Sequence, residues 1–121
     1  MGIRSFFIKV CPFTVGMLVH ALVHLGIHVL AWAIIIHYQK LRWKSEESGF
    51  ILLSVLAANL IDLDHLLADP IYDPDRCSIG FHPLHSFWAM PFYVAGLFWR
   101  TRYFALGVIL HLVADGLDCL L

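Results

Sequence analysis

Charged residues are scarce in this sequence. They make up 14% of its 121 residues, whereas 60% of the residues are hydrophobic and the mean hydropathy is +0.79. Soluble domains carry about 25% charged residues, and one of this size could not bury so much apolar surface. The formal charge of -1 provides no polycation, so we expect no nucleic-acid partner. The sequence predicts a single membrane-embedded domain over residues 1–121.

Two further motifs are absent, a cysteine pair for a thiolate metal site and a signal-peptide cleavage site. The three cysteines, Cys11, Cys77 and Cys119, include no Cys-x-x-Cys pair, which argues against a thiolate zinc site. No small-residue cleavage site follows the first hydrophobic run, so we expect that run to stay in the mature chain.

Four apolar stretches predict an all-α fold, namely an integral membrane bundle of four transmembrane helices. The first stretch, residues 13–36, has no formal charge and is long enough to cross a hydrocarbon core of about 30 Å. The others are residues 50–68, 84–99 and 103–121, and a loop over 69–83 separates the second from the third.

The basic residues predict the orientation of this bundle. The connectors 37–49 and 100–102 lie on one membrane face and hold five of the eight basic residues. The positive-inside rule puts that face in the cytoplasm and puts the 69–83 loop and both termini outside. The five basic residues are Lys40, Arg42, Lys44, Arg100 and Arg102.

Histidines and aspartates are the polar residues inside the apolar stretches. Titratable groups are costly within a membrane, so each one marks a candidate functional site. With the exception of His37, every histidine and aspartate falls in the outer half of the predicted bundle or in the outer loop. Helical spacing then places them on one face of each helix, pointing into the bundle. The sets are His20, His24 and His28; Asn59, Asp62 and His65; His82 and His85; and His111, Asp115 and Asp118.

Imidazole and carboxylate together are ligands for zinc and related divalent ions. We therefore predict a divalent metal site, zinc being favoured, with one or two ions and with the Asp62/Asp64 pair able to bridge two ions. Two simpler readings remain: His20 hydrogen-bonds across the bundle, and His111 pairs with Asp115 without a metal. The candidate ligands are His24, His28, Asp62, Asp64, His65, His82, His111 and Asp115.

Three segments carry a family resemblance: Asn59-Leu-Ile-Asp-Leu-Asp-His65, Phe81-His-Pro-Leu-His-Ser86 and His111-Leu-Val-Ala-Asp115. Their order resembles that of the predicted membrane-bound metal-dependent hydrolases, the YdjM-like inner-membrane proteins, which are distantly similar to zinc-dependent phospholipase C. The sequence departs from the family pattern at Ile61, where the family has proline, and in the short spacing of its histidine pair. The resemblance implies a bacterial inner membrane and metal roles for His24 or His28, Asp62, Asp64, His82, His111 and Asp115.

The leading hypothesis is a zinc-type hydrolase that acts on a phosphoester of a lipid or lipid-linked substrate, with its site facing outward among membrane lipids. Asp64, His85 or Asp118 would serve as general base or as a positioning residue. Arg76 would bind the substrate phosphate, unless it pairs with a neighbouring aspartate in the loop. Two other hypotheses stay open: a non-catalytic metal-binding or transport protein, and a haem-binding helical bundle.

A disulfide between Cys77 and Cys119 is predicted, because both cysteines lie on the outer face under this topology. Cys11 would remain the odd thiol. The alternative is that all three thiols are buried and reduced.

Overall fold

The chain forms four α-helices in this computed structural model, which describes residues 3–68 and 76–120. Helix α1 covers Ile3–Tyr38, α2 covers Glu46–Ala57, α3 covers Met90–Gly96 and α4 covers Arg102–Leu120. Two 3₁₀ helices, Ala58–Leu67 and Pro83–His85, complete the order, and the described ranges contain no strand. The all-α prediction is confirmed for this part of the chain. Residues 69–75 of the predicted outer loop lie outside the described residues.

The connector between α1 and α2 reverses the chain direction, with a capping interaction at the end of α1 and another at the start of α2. Lys40 adopts a left-handed backbone conformation (φ 55°), and the Leu41 N–H donates to the Ile36 carbonyl at 2.9 Å, which closes the end of α1. Ser45 caps α2, since its hydroxyl accepts a hydrogen bond from the Ser48 N–H at 3.1 Å.

Three helical stretches are long and apolar enough to cross a membrane. They are Val15–Tyr38, Glu46–Leu67 and Arg102–Leu120, in which 18 consecutive residues reach mean hydropathies of 2.0, 1.8 and 1.6. Many of their large apolar side chains face outward; Leu30 and Leu53, for example, are 61% and 70% exposed. Such a surface is unfavourable in water, which indicates that the protein associates with a membrane.

The structure corrects the prediction of a spanning helix over residues 84–99. The α-helix in this stretch, Met90–Gly96, has 7 residues, so its length of about 10 Å covers a third of a hydrocarbon core. Pro91 has no N–H to continue a helix from the preceding residues, and turns occupy the residues before and after α3. The stretch nevertheless leads the chain back along the bundle, since Gln39 after α1 donates to the Tyr103 hydroxyl in α4 at 2.9 Å.

The core lies where α4 crosses the first 3₁₀ helix. Ala58, Ile61, Val108 and Leu112 are buried together there. Gly107 permits the approach, because a Cβ atom at this position would lie 2.7 Å from a backbone oxygen of α2. This close packing fixes the position of α4 along the first 3₁₀ helix, and so determines which polar residues of the two helices are in contact.

Candidate metal centre

Four side chains from three segments converge at one end of the bundle. Asp62 comes from the first 3₁₀ helix, His85 from the second, and His111 and Asp115 from α4; their donor atoms lie within 4.8 Å of one another. His111 Nε2 is 3.0 Å from Asp62 Oδ1 and 3.4 Å from Asp115 Oδ2. His85 Nε2 is 3.3 and 3.2 Å from the same two oxygens. We call this group the four-donor site.

The four histidine–carboxylate distances of the four-donor site are close to those between the ligands of a metal ion. With metal–ligand bonds of about 2.0–2.1 Å, the donor atoms of a tetrahedral zinc site stand about 3.3–3.4 Å apart. Two imidazole nitrogens and two carboxylate oxygens are also donors that zinc accepts. His85 and His111 are fully buried and Asp115 is 2% exposed, whereas the Asp62 side chain is 34% exposed and forms the solvent-facing side of the group. The residues therefore fit a divalent ion.

Hydrogen bonding alone leaves part of this group unsatisfied. His85 Nε2 and both carboxylate oxygens of Asp115 are buried without a partner in hydrogen-bonding geometry. Buried polar atoms are rarely left in that state, and a buried carboxylate without compensation is costly. A cation bound to these atoms would satisfy them, which is the second observation that fits a metal.

Asp64 holds His85 in its orientation. Its Oδ2 accepts hydrogen bonds from the Leu84 N–H at 2.8 Å and from His85 Nδ1 at 3.0 Å. The second bond leaves Nε2 for the four-donor site, as carboxylate partners of metal-binding histidines do. Burial lowers the pKa of His85, but the neighbouring carboxylates of Asp115, Asp62 and Asp64 outweigh it and raise the pKa to about 10. The pKa of this histidine is thus governed by the acidic side chains around it.

The 3₁₀ geometry of Ala58–Leu67 explains why every third residue faces the site. Side chains three apart are eclipsed in such a helix, so Asn59, Asp62 and His65 share one face. The Asn59 and Asp62 carbonyl and carboxylate oxygens lie 3.2 and 3.0 Å from the two ring nitrogens of His111. The spacing of three in the sequence predicted this shared face.

A second group of donors shares Asp115 with the first. His24 Nε2 lies 3.0 Å from Asp115 Oδ1, and His20 Nε2 lies 3.7 Å from the same oxygen. The two oxygens of Asp115 therefore face two different donor groups, as in a bridging carboxylate. We call His20, His24 and Asp115 the three-donor site. Three protein donors leave a coordination position for water or substrate, as in catalytic zinc sites, whereas four close the site.

A third group, Asp64, His65 and His85, has donor atoms at similar distances. Here both Asp64 oxygens are already within hydrogen-bond distance of other groups, including His65 Nδ1 at 3.1 Å. His65 also stacks on His82, with the ring centroids 3.8 Å apart. Burial, followed by the neighbouring His65, lowers the pKa of His82. We interpret this group as one that orients His85 for the four-donor site.

Two predicted ligands, His28 and His82, lie outside the three donor groups of the described chain. His28 donates from Nε2 to the Gly107 carbonyl at 2.9 Å, and its Nδ1 lies 3.2 Å from the side-chain nitrogen of Asn59. His82 is buried against His65, as described above. His85 supplies the donor atom expected from His82, because the short 3₁₀ turn aims it at the centre.

The Asp62 and Asp64 carboxylates, predicted to be able to bridge two ions, both lie beside His85. The two carboxylates contact opposite nitrogens of His85, Asp62 at Nε2 and Asp64 at Nδ1. Both carboxylates also lie near His65 Nδ1, Asp62 Oδ1 at 3.5 Å and Asp64 Oδ1 at 3.1 Å. Asp115 is the carboxylate that lies between two donor groups.

The remaining predicted residues lie near the C-terminal end of α4. The Asp118 side chain is 70% exposed, and its Oδ2 is 3.7 Å from His20 Nδ1. Cys77 and Cys119 are joined in a disulfide with their Cα atoms 5.2 Å apart, which is the pairing predicted from the sequence. The bond ties the segment that carries Arg76 to this end of α4. The Arg76 guanidinium lies over an aromatic ring, 4.5 Å from its centroid.

Sequence reasoning did not include two residues that matter here. His20 is not among the predicted ligands, since it could hydrogen-bond across the bundle instead, although its i, i+4 relation to His24 places it on the same helix face. Gly107 was not singled out, although a glycine one turn before His111 in an apolar helix is typical of close helix packing.

The fold and the donor groups define a membrane-associated helical protein with a candidate metal centre buried at one end of its bundle. The chain belongs to a family of unknown function, DUF6122, whose pattern matches residues 17–121. The sequence matches no curated protein and no solved structure.

Proposed function

We propose that this protein is a membrane-embedded, metal-dependent hydrolase that cleaves phosphoesters of lipids or lipid-linked substrates. The observation that carries the proposal is the pair of donor groups that share Asp115, one closed and one open. Adjacent metal sites linked by a carboxylate are the arrangement of many two-metal hydrolytic enzymes. The resemblance to the YdjM-like hydrolases supports the same class of reaction.

We propose zinc as the metal, with one ion in the four-donor site and a second in the three-donor site. A divalent ion bound there would lower the pKa of a water molecule and polarise a phosphoryl oxygen. Asp118, exposed beside His20, is suited to accept a proton at the mouth of the site. Arg76, held near this end by the disulfide, is suited to bind the phosphate. Asp64 and His85 act in binding and orienting the metal.

The lipid substrate and the orientation belong to the same proposal. All the donors except His85 lie in helical stretches that are apolar enough to cross a membrane, where lipid head groups are the nearest phosphoesters. Most basic residues lie at the opposite end of the bundle, around Lys40, Arg42 and Arg102, which favours a bacterial inner membrane with the site facing outward.

A non-catalytic metal-binding protein is the second candidate, and the closed four-donor site favours it. Four protein ligands are typical of structural zinc. Transport is less supported, because the buried histidines and aspartates of the described chain lie at one end of the bundle. Haem binding is less supported as well, since two of the four donors are carboxylates, which are not among the usual axial ligands of haem iron.

Metal analysis of the purified protein, followed by phosphodiesterase assays, tests the proposal. We expect zinc in the protein and hydrolysis of bis(p-nitrophenyl) phosphate or of phospholipid vesicles that stops when a chelator removes the metal. Asp62→Ala should lose the ion of the four-donor site, and with it activity and stability, because metal binding and folding are linked. His37→Ala, far from both sites, is the control. Activity that persists after metal removal contradicts the hydrolase, and metal without activity on any phosphoester leaves the structural candidate.

A further inference from the structure

A cavity of about 560 Å³ opens between α1 and α4. Its walls are mostly apolar, formed by Val19, Val23 and Ile27 of α1 and by Ala114 and Leu117 of α4. Both helices are long and apolar enough to cross a membrane, so the surface into which the cavity opens is one that hydrocarbon contacts. Ligand sites for small molecules have similar volumes, about 300–1,000 Å³, and a similar excess of apolar walls.

The polar part of the cavity wall coincides with the three-donor site. His20, His24 and Asp118 are its titratable lining residues, and two of them are metal donors in the proposed centre. The apolar walls of the cavity thus lie next to the candidate site that has an open coordination position. An occupant would need a hydrocarbon part and an anionic part close together.

We propose that this cavity binds one acyl chain of the lipid substrate and so places the phosphoester at the three-donor site. The position of the phosphoester rests on the proposed function, whereas the binding of the chain does not. The lining runs along α1 from Gly16 to Ile27, about 16 Å at 1.5 Å per residue. This length is close to one leaflet of a hydrocarbon core about 30 Å thick, which suits a single acyl chain.

A helix of a second copy fits this surface less well. Helices pack closely in membranes where small residues line both surfaces. Here the α1 wall carries branched side chains at positions 19, 23 and 27, with Gly16 as its one small lining residue. Branched apolar walls around a recess are better matched to a flexible chain.

Photolabelling in a bilayer tests the inference without requiring turnover. The full-length protein is placed in phosphatidylglycerol nanodiscs containing a phosphatidylglycerol with a diazirine in its acyl chain, and the labelled residues are identified by mass spectrometry. We expect labels concentrated on residues 16–27 and 114–118. Ala114→Phe should lower this labelling about tenfold, since the ring displaces roughly two methylene groups of the chain. Ala21→Phe, the same change at an exposed alanine outside the cavity wall, should leave it unchanged.

Circular dichroism and zinc content show whether Ala114→Phe is folded, and Leu117→Trp replaces it if it is not. Equal labelling of all bilayer-facing helices, or labelling that neither variant lowers, overturns the inference. The inference is also overturned if the cavity is not labelled and the Val23→Cys variant forms disulfide-linked dimers, because a second copy of the protein then occupies this surface. Selective labelling in a protein that hydrolyses no phosphoester supports the chain site and contradicts the hydrolase alone.

Discussion

At the scale of single residues, we expect substitution of Asp115 to have the largest effect on metal binding. Its two oxygens face different donor groups, are buried, and lack partners in hydrogen-bonding geometry. Asp62 and His111 belong to one donor group only, so the loss of either leaves the three-donor site with its ligands. A change at Asp115 acts on both groups at once.

We therefore expect Asp115→Asn to reduce the bound zinc at both sites. The amide has nearly the same shape as the carboxylate but carries no charge, so it neither compensates a cation nor bridges two. Elemental analysis of the purified variant measures the effect. Asp118→Asn, the same change on the exposed side of α4, should keep its metal. Full zinc occupancy in Asp115→Asn would show that the bridging assignment is wrong.

Asp64 should affect the metal through His85. Asp64→Asn keeps an acceptor for the Leu84 N–H but weakens the hydrogen bond that orients the imidazole. Removing such a partner typically lowers metal affinity about 10–100-fold. Competition with a chelator of known affinity measures this, and circular dichroism checks that the fold is kept. An unchanged zinc affinity would mean that the orientation of His85 is set by other contacts.

At the scale of helices, long apolar stretches were predictable and local interruptions were not. The stretches at residues 13–36, 50–68 and 103–121 coincide with the three long helical stretches of the structure. The stretch at 84–99 has the same composition, but Pro91 lacks the N–H that a continuous α-helix needs, and the Leu84 N–H before it is held by a hydrogen bond to Asp64. That hydrogen bond is a long-range contact, so hydropathy along the chain carries no sign of it.

The donor groups were predictable to a similar degree. Spacing placed Asp62 on the inward face because the 3₁₀ helix eclipses every third residue. Spacing alone could not separate His24 from His28, which lie on the same stripe of α1. The position of α4 along the axis of α1 decides between them. Asp115 contacts His24, whereas the carbonyl of Gly107, two turns earlier, accepts a hydrogen bond from His28. The level of one helix against another is set by packing, which a single sequence does not display.

The contact between α4 and α2 leads to a prediction about Gly107. A Cβ atom at this position would lie 2.7 Å from the Val55 carbonyl oxygen and 2.9 Å from the Ala58 Cβ atom, so the helices would have to move apart. We expect Gly107→Ala to cost about 1–3 kcal/mol of stability, as overpacking does. Gly116→Ala in the same helix meets no atom within 4 Å and should be neutral or stabilising. Thermal unfolding of both variants in detergent compares them; equal midpoints would contradict the close contact.

At the scale of the whole molecule, the two ends of the bundle differ in chemistry. One end holds the connector, where Gln39 bonds to Tyr103 and the basic residues gather. The other holds the donor groups, the cavity and the disulfide. Disulfides persist in oxidising compartments, whereas positive-inside charge marks the cytoplasmic face. Both signals agree with the outward-facing site that we propose.

The disulfide offers the test of that arrangement. Cys77 and Cys119 are 42 residues apart in sequence, and chain entropy predicts about 4 kcal/mol of stabilisation from closing such a loop. We expect Cys119→Ser to lower the unfolding midpoint, whereas Cys11→Ser should not. In protein prepared without reductant, a maleimide added after unfolding should modify one thiol of the three. Modification of all three would mean that the thiols are reduced in the cell, and the assignment of the site to the outer face would lose its second support.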